Sequence, residues 1–378
     1  MKKTLILHIG MGKTGTTALQ HFFWSNRRVL AAHDIDYPSY GSVAEAHHLI
    51  SPHVPPFLKD VWKFKTVDEW APRLRKSGQS RILLSSELMA WALPEIVEVF
   101  CREARDCFDL KVVVYVRRQD EMIMADFNQL VKSGSQKREL ERVLERQIRR
   151  FDYETLIRPW AASVGNDNVI VRPYERQQFH GGDIRRDFAW HVFGLELSGR
   201  FELSTHNPNP RLSHSALEYK LHLNKLLRDA EQSSKFNDAL MAYSALEDDT
   251  TQDAFSAQPV LSAAARNHIL ACCSESNAAV ARLYMHRSDG LLFFASPPEE
   301  SDERGPSALP LDRRVAITRY IQQREPRLIT LLNRSVESTP TSEKRLHKEG
   351  VDYFEPCLRA LSARGRGKDS WTFRRGGQ

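Results

Sequence analysis

The run Thr4-Leu-Ile-Leu-His-Ile-Gly-Met-Gly-Lys-Thr-Gly-Thr-Thr17 constrains the fold more than any other part of the chain. Thr4 to Ile9 is a short aliphatic and β-branched stretch that stops at Gly10, and Thr16 to Leu30 then carries Leu19, Phe22, Phe23 and Leu30 at helical spacing. This predicts strand, tight loop, helix. Further apolar runs at 82–85, 111–116 and 168–172 are continuous rather than alternating, as in strands buried on both faces. Helical patterns separate them: Glu95 to Phe108, with Ile96, Val97, Phe100, Ala104 and Phe108 on one face; Asp120 to Lys132; and Tyr153 to Val164, closed by Gly165. The alternation predicts an α/β fold with a doubly wound, mostly parallel sheet, whose ligands sit at the carboxyl ends of its strands. Gly10, Glu87 and Arg117 all follow such ends.

Beyond the sheet the pattern changes. Ser135 to Arg150 is dense in interleaved charge with a narrow stripe of Leu140, Val143, Leu144 and Ile148, which reads as a solvated amphipathic helix rather than a nucleic-acid arm. From Ser213 onward helices dominate, near 215–230 and 261–285, the first opened by a capping box at Ser215 and Glu218. Ser296 to Pro306 is polar and proline-rich, a surface loop or linker, and Arg359 to Arg375 reads as a basic, frayed tail. The expected organisation is a core over 1–230 and a mostly helical extension over 231–378.

Composition closes off several classes. No apolar run approaches the roughly 18 residues of a membrane span, and the Met1-Lys-Lys start leads straight into the glycine loop, so cleavage of a signal peptide there would destroy it. Five cysteines form no CxxC pair, which predicts reduced thiols in a cytoplasm and no metal centre. The net charge of +6 suits an anionic ligand without choosing one.

The loop itself chooses more sharply. A Walker A motif requires G-x-x-x-x-G-K-[ST], but after Gly10 and Gly15 the lysine position holds Thr16, and the lysine is Lys13, inside the loop. Gly15, Thr16 and Thr17 would open a helix whose unpaired N–H groups and dipole favour an anion. That arrangement suits one terminal phosphate, with Lys13 ahead of the helix where a bond to it could break.

These residues resemble the sulfotransferases that use 3′-phosphoadenosine 5′-phosphosulfate (PAPS), in particular bacterial, glycan-type members with a P-loop NTPase-like fold. The resemblance spans about residues 4–230. It implies that Gly12, Lys13, Thr14, Gly15, Thr16 and Thr17 hold the 5′-phosphosulfate. Val114-Tyr-Val-Arg-Arg-Gln-Asp120 through Gly134 is similar to the strand, arginine and helix of the 3′-phosphate site, which implies a role for Arg117. The family's serine eight residues on is Ala125 here, and Arg118 or Ser133 is the candidate substitute. Arg211, in a loop resembling one that closes over the cofactor, is a further candidate.

Ile82-Leu-Leu-Ser-Ser-Glu-Leu88 resembles the strand that carries the catalytic base in glycan-type members, which points to Glu87. His47 and His48 compete for that role, since histidine is poised near neutral pH, and adjacent side chains on a helix diverge by about 100°, so one of the pair at most would face the cleft. His8 reads as a packed strand-end histidine. The implied reaction is transfer of the sulfuryl group from PAPS to a hydroxyl, with a carbohydrate as the expected acceptor, leaving 3′-phosphoadenosine 5′-phosphate (PAP), with no metal and no nucleic acid. Two other readings stay open: a kinase using ATP or GTP, and a non-catalytic polyanion-binding protein.

Overall fold

The structure is a computed structural model that describes residues 2–203, 211–227, 229–247, 261–296, 309–338 and 345–363. Its one sheet has five strands, β1 (Lys3–His8), β2 (Ile35–Asp36), β3 (Arg81–Ser85), β4 (Phe108–Val116) and β5 (Val169–Pro173), in the order β2-β3-β1-β4-β5. Every neighbouring pair is parallel. The fold is therefore α/β with a doubly wound parallel sheet, as the alternation predicts. The central β1 places His8 opposite Ser85 of β3 and Val113 of β4, so the chain leaves β1, β3 and β4 at the same edge of the sheet.

Fifteen α-helices occur among the described residues: α1 (Thr16–Ser25), α2 (Arg27–Ala32), α3 (Val67–Leu74), α4 (Pro94–Arg105), α5 (Gln119–Lys132), α6 (Leu144–Arg150), α7 (Tyr153–Val164), α8 (Ile184–Phe188), α9 (His214–Leu226), α10 (Ala230–Ser234), α11 (Asn237–Glu247), α12 (Ala263–Met285), α13 (Leu311–Arg324), α14 (Pro326–Glu337) and α15 (Arg345–Ala363). None of them is long and apolar enough to cross a membrane. The chain divides into two compact units, each assembled from separated stretches. The first draws on Met1–Asp126, Leu144–Pro208 and Leu261–Glu303 and contains the sheet; the second draws on Phe127–Val143, Asn209–Val260 and Arg304–Gln378.

In the first unit, aromatic side chains fill the space beside the sheet. Phe23 of α1, Phe188 of α8, Phe193 and Tyr37 form one cluster around His8 and Tyr115. Trp70, Phe100, Phe108 and Trp160 form another. Both tryptophans are fully buried, and the gain from burying their rings is offset in part because neither indole N–H has a hydrogen-bond partner among the described residues. The second cluster explains one departure from expectation. α4 ends at Arg105, because Phe108 already belongs to β4, and Ile96 lies on the outer face at 41% exposure.

Other boundaries moved for identifiable reasons. The helix expected through Leu30 breaks at Asn26, whose buried amide bonds both ways with the backbone of Glu202: Nδ2 donates to its carbonyl (3.0 Å) and Oδ1 accepts from its N–H (2.8 Å). Ser135 to Arg150 is not one helix; it forms a single turn at Leu140–Arg142 and the short α6, and its apolar stripe is buried.

In the second unit the cap of α9 is Ser213, which accepts from the Ala216 N–H, and not Ser215. Ser215 instead donates to Glu247 (2.8 Å), and Glu218 accepts from the Leu309 N–H (2.7 Å). The buried Lys220 donates to the Ser233 hydroxyl (2.6 Å), and burial pulls its ammonium down to about 7. Most of the proline-rich segment after Ser296, the basic tail after Ala363, and residues 207–210 lie outside the described residues.

Candidate functional site

The loop between β1 and α1 is tightly built. Lys13 (φ 69°) and Gly15 (φ 77°) both adopt the left-handed conformation, and the Thr14 hydroxyl donates to the Met11 carbonyl (2.6 Å) across the turn. For a residue with a side chain that conformation costs about 1–2 kcal/mol, so the surrounding turn must hold Lys13 in it. Sequence reasoning foresaw the glycine but had no signal for the lysine. A Cβ at Gly10 would meet Thr16 Cγ2 at 2.5 Å, and one at Gly15 would meet Ile184 Cδ1 at 2.6 Å; at Gly12 it would meet nothing within 4 Å. Gly10 and Gly15 are thus packing requirements, whereas Gly12 leaves open space in the loop.

α1 begins with Gly15 as its cap, without a side-chain hydrogen bond and without an acidic residue in its first turn. Helix starts of this kind keep backbone N–H donors and the positive end of the dipole available to an anion. Thr14 and Thr16 are buried in the turn. Arg117, which follows β4, reaches this loop: its guanidinium donates to the Lys13 carbonyl (3.4 Å) and to Glu121 (3.0 Å), and lies over the Tyr174 ring. Tyr174 also packs against Gly15.

Arg118 points to different chemistry. Its Nε and one Nη donate to Asp120 (2.7 and 3.0 Å), the latter also approaches Glu121 (3.2 Å), and the other Nη donates to the carbonyls of Ala295 (2.8 Å) and Ser296 (3.1 Å). Four of the guanidinium's five N–H donors can be accounted for by these hydrogen bonds, with Glu121 adding an ion pair. Asp120 is fully buried and also pairs with Arg266. The Phe294 and Ala295 N–H groups donate to Glu175 (2.8 and 2.6 Å), so residues 294–296 form a strap held by side chains that follow β4 and β5. Arg118 is a fastener of that strap. Ala125, in α5, supplies no hydroxyl, and the carboxyl of the next residue, Asp126, accepts from Arg150 (2.9 Å) and is raised by burial against the pull of Arg150 and Lys13. Ser133, bonded to the Leu130 carbonyl (3.0 Å) and Ser135 (2.6 Å), and the half-buried Arg211 belong to the second unit.

At the end of β3 a second group of side chains gathers. Gln20, one turn into α1, donates to both Glu87 Oε2 (3.0 Å) and Ser85 Oγ (3.2 Å). The other carboxylate oxygen of Glu87 lies 3.9 Å from His48 Nε2, and His48 Nδ1 pairs with Ser86 Oγ (2.9 Å). Trp62 stacks on the His48 ring at 5.4 Å and 15°. Gln20, Ser86 and Trp62 were not picked out from sequence; only a register placing Gln20 beside the end of β3 could have found them.

The two histidines do not share a helix. Ala44 and Glu45 both have positive φ and form a tight turn closed by Val43 and Ala46, and a single 3₁₀ turn, His48–Ile50, follows. The turn separates the rings. His47 is fully buried: the Ser85 N–H donates to its Nδ1 (3.2 Å), so its proton is on Nε2, which donates to the Pro38 carbonyl (2.7 Å). Burial depresses its pKa to about 4, and it works as a neutral latch between residue 38 and the end of β3.

His48 keeps 13% side-chain exposure; burial lowers its pKa while Glu87 pulls it back up. Ser86 Oγ also accepts from the Leu88 N–H (3.3 Å), and a hydroxyl can still either donate to or accept from His48 Nδ1; at 3.9 Å, His48 Nε2 meets Glu87 as a neighbouring charge site rather than through a hydrogen bond. His8 is buried, bonded through Nδ1 to Ser85 Oγ (2.8 Å), and pushed down to about 3 by burial. It is a packed histidine, as expected.

No protein-family model matches the chain. An uncharacterized protein of Archaeoglobus fulgidus is 27% identical over 246 residues, covering 65% of this chain and 63% of that relative, less than two thirds of its length. Among solved structures, a sulfotransferase from Alicyclobacillus acidocaldarius is similar with a TM-score of 0.38 and 16% identity, over 63% of this chain and 95% of that one. The class that the fold defines is an α/β protein with a parallel sheet and a P-loop-like turn after its central strand.

Proposed function

We propose that the first unit is a PAPS-dependent sulfotransferase that moves a sulfuryl group to a hydroxyl, with a carbohydrate as the expected acceptor. The observation that carries this reading is the bond from Gln20 to Glu87 (3.0 Å), because Gln20 belongs to the helix that the glycine loop opens. One short helix thereby links an anion-accepting turn to a carboxylate at the neighbouring strand end. Sulfuryl transfer needs both at once.

The N–H groups at the start of α1, with the Thr16 and Thr17 hydroxyls, would hold the 5′-phosphate, and Lys13 would stand at the oxygen bridging phosphorus and sulfur. Glu87 would accept the proton of the acceptor hydroxyl while its oxygen forms the new bond to sulfur. The bond from sulfur to the bridging oxygen breaks, and its electron pair stays on the departing phosphate beside the Lys13 ammonium. Gln20, donating to Glu87 Oε2, would orient the carboxylate, with His48 Nε2 3.9 Å from its other oxygen. Arg117 would offer charge to the 3′-phosphate in the absence of a hydroxyl at Ala125. The open space at Gly12 and the uncapped helix start fit a phosphate. Sequence resemblance supplies the donor's identity and the carbohydrate preference.

Calorimetric titration with PAP, and separately with ATP and magnesium, tests the donor. Saturable PAP binding with transfer of labelled sulfate from PAPS to extract glycans is the expected result. Preference for ATP with phosphate transfer assigns the loop to a kinase, and PAP binding without any transfer assigns it to a polyanion-binding protein.

A further inference from the structure

The segment joining the His48 turn to α3 carries an apolar stripe that faces water. Its backbone coils through successive turns, with Leu58 N–H bonded to the Pro55 carbonyl (2.9 Å) and both Val61 N–H (3.1 Å) and Trp62 N–H (2.9 Å) bonded to the Leu58 carbonyl. In such a coil, residues three and four apart share a side. Pro55, Leu58 and Trp62 form the inner side, which ends in the Trp62 ring stacked on His48. Val54, Phe57 and Val61 form the outer one, with Phe57 77% and Val61 71% exposed. Isolated exposed apolar residues are ordinary, but a row of three presented by a short protruding turn is a feature of interaction sites.

The charges interleaved with that row along the sequence point to its occupant. Exposed Lys59 and Lys63 alternate with the apolar residues along the chain, against the single acid Asp60. Lysine is depleted at protein–protein interfaces, whereas lysines beside an aromatic and aliphatic row suit an anionic bilayer, where the rings enter the acyl boundary and the ammonium groups stay among the headgroups. We propose that residues 54–63 are a docking surface for an anionic lipid bilayer. Because the inner side of the same turn holds His48, docking brings the Glu87 edge to the plane of the membrane, where it would meet hydroxyls borne on lipid-linked acceptors. This last step rests on the sulfuryl-transfer reading; the docking itself does not.

The test is sedimentation of the full chain with phosphatidylglycerol vesicles and with phosphatidylcholine vesicles, without any sulfuryl donor. The protein is expected to sediment with phosphatidylglycerol and to be released as salt rises. Phe57→Ser with Val61→Ser should weaken partitioning roughly tenfold or more. Lys59→Gln with Lys63→Gln should weaken it roughly ten- to thirtyfold on phosphatidylglycerol alone. All four positions are solvent-exposed, and circular dichroism checks each variant's fold. A wild-type chain that stays in solution, or either double variant that sediments like the wild type, overturns the proposal. So does a chain that ignores both kinds of vesicle while a photo-crosslinker at position 57 captures a protein. Because no donor is present, these outcomes are independent of whether sulfate is transferred.

Discussion

In the glycine loop every candidate contact comes from one unbroken run, Gly10 to Thr17, whereas the edge beside it draws Gln20, His48, Trp62, Ser86 and Glu87 from separated segments. The loop encodes its shape locally: two glycines, one of them left-handed, where an added Cβ would press on neighbouring side chains, and a threonine that closes the turn on Met11. The edge depends on tertiary register, since Gln20 meets Glu87 only because β1 and β3 pair with His8 opposite Ser85. Anion recognition built from backbone N–H groups needs little beyond the correct turn. Proton transfer, the role proposed for the edge, needs side chains at fixed distances, and these come together only as distant pieces of the chain fold.

The contrast is open to tests of decreasing size. Glu87→Gln keeps the Gln20 contact in shape but removes the base, and should lower turnover by about 10²- to 10⁴-fold with PAP affinity unchanged. Turnover close to wild type would move the base to His48 and break the assignment of the edge. Lys13→Ala should lower turnover by about 10²- to 10³-fold, while its melting temperature stays level, since alanine keeps the Cβ that makes the left-handed conformation costly. Rate and melting curves measured on the same preparation check this.

Acid should act on the edge before the loop. His8 and His47 are held neutral in the fold, with values of about 3 and about 4 against 6.5. The unfolded chain therefore binds more protons below pH 6.5, and stability falls as pH drops through the window from 6.5 towards these folded values. For His47 alone the loss approaches ~3 kcal/mol, and it should be seen in urea unfolding between pH 7 and pH 4. In His47→Gln that pH dependence should be visibly shallower. The smallest effect belongs to Gly10→Ala, where the added methyl would press on Thr16 and His8. It should cost about 1–3 kcal/mol by the same measurement and weaken PAP binding as the turn shifts.

How far the sequence was readable follows the same division. The four longer strands and the helices α1, α4, α5 and α7 could be read because buried parallel strands are continuous apolar runs and their crossovers keep helical spacing. β2, with two residues, left no such signal. Nor did the turn at Ala44 and Glu45, which takes a conformation normally given to Asn-Gly and so carried no turn residue to notice. For the candidate site, the placing of Lys13 in the glycine loop and of Glu87 and Arg117 just past strand ends was legible, whereas the roles given to them rest on the proposed reaction. At Arg118 only the residue type was visible; its contacts depend on Asp120, Glu121 and a strap some 180 residues downstream.

That strap has a consequence for how the protein is made. The glycine loop leaves the ribosome well before residues 294–296, whose backbone groups Arg118 and Glu175 grip. At ordinary rates of synthesis, the loop waits about 15–60 s before the last of these partners exists. During that interval the guanidinium of Arg118 lacks its carbonyl acceptors and Glu175 lacks its amide donors. The glycine loop is thus translated well before the strap beside it can form, and a nascent chain stopped short of residue 294 is the one on which a chaperone has most to do.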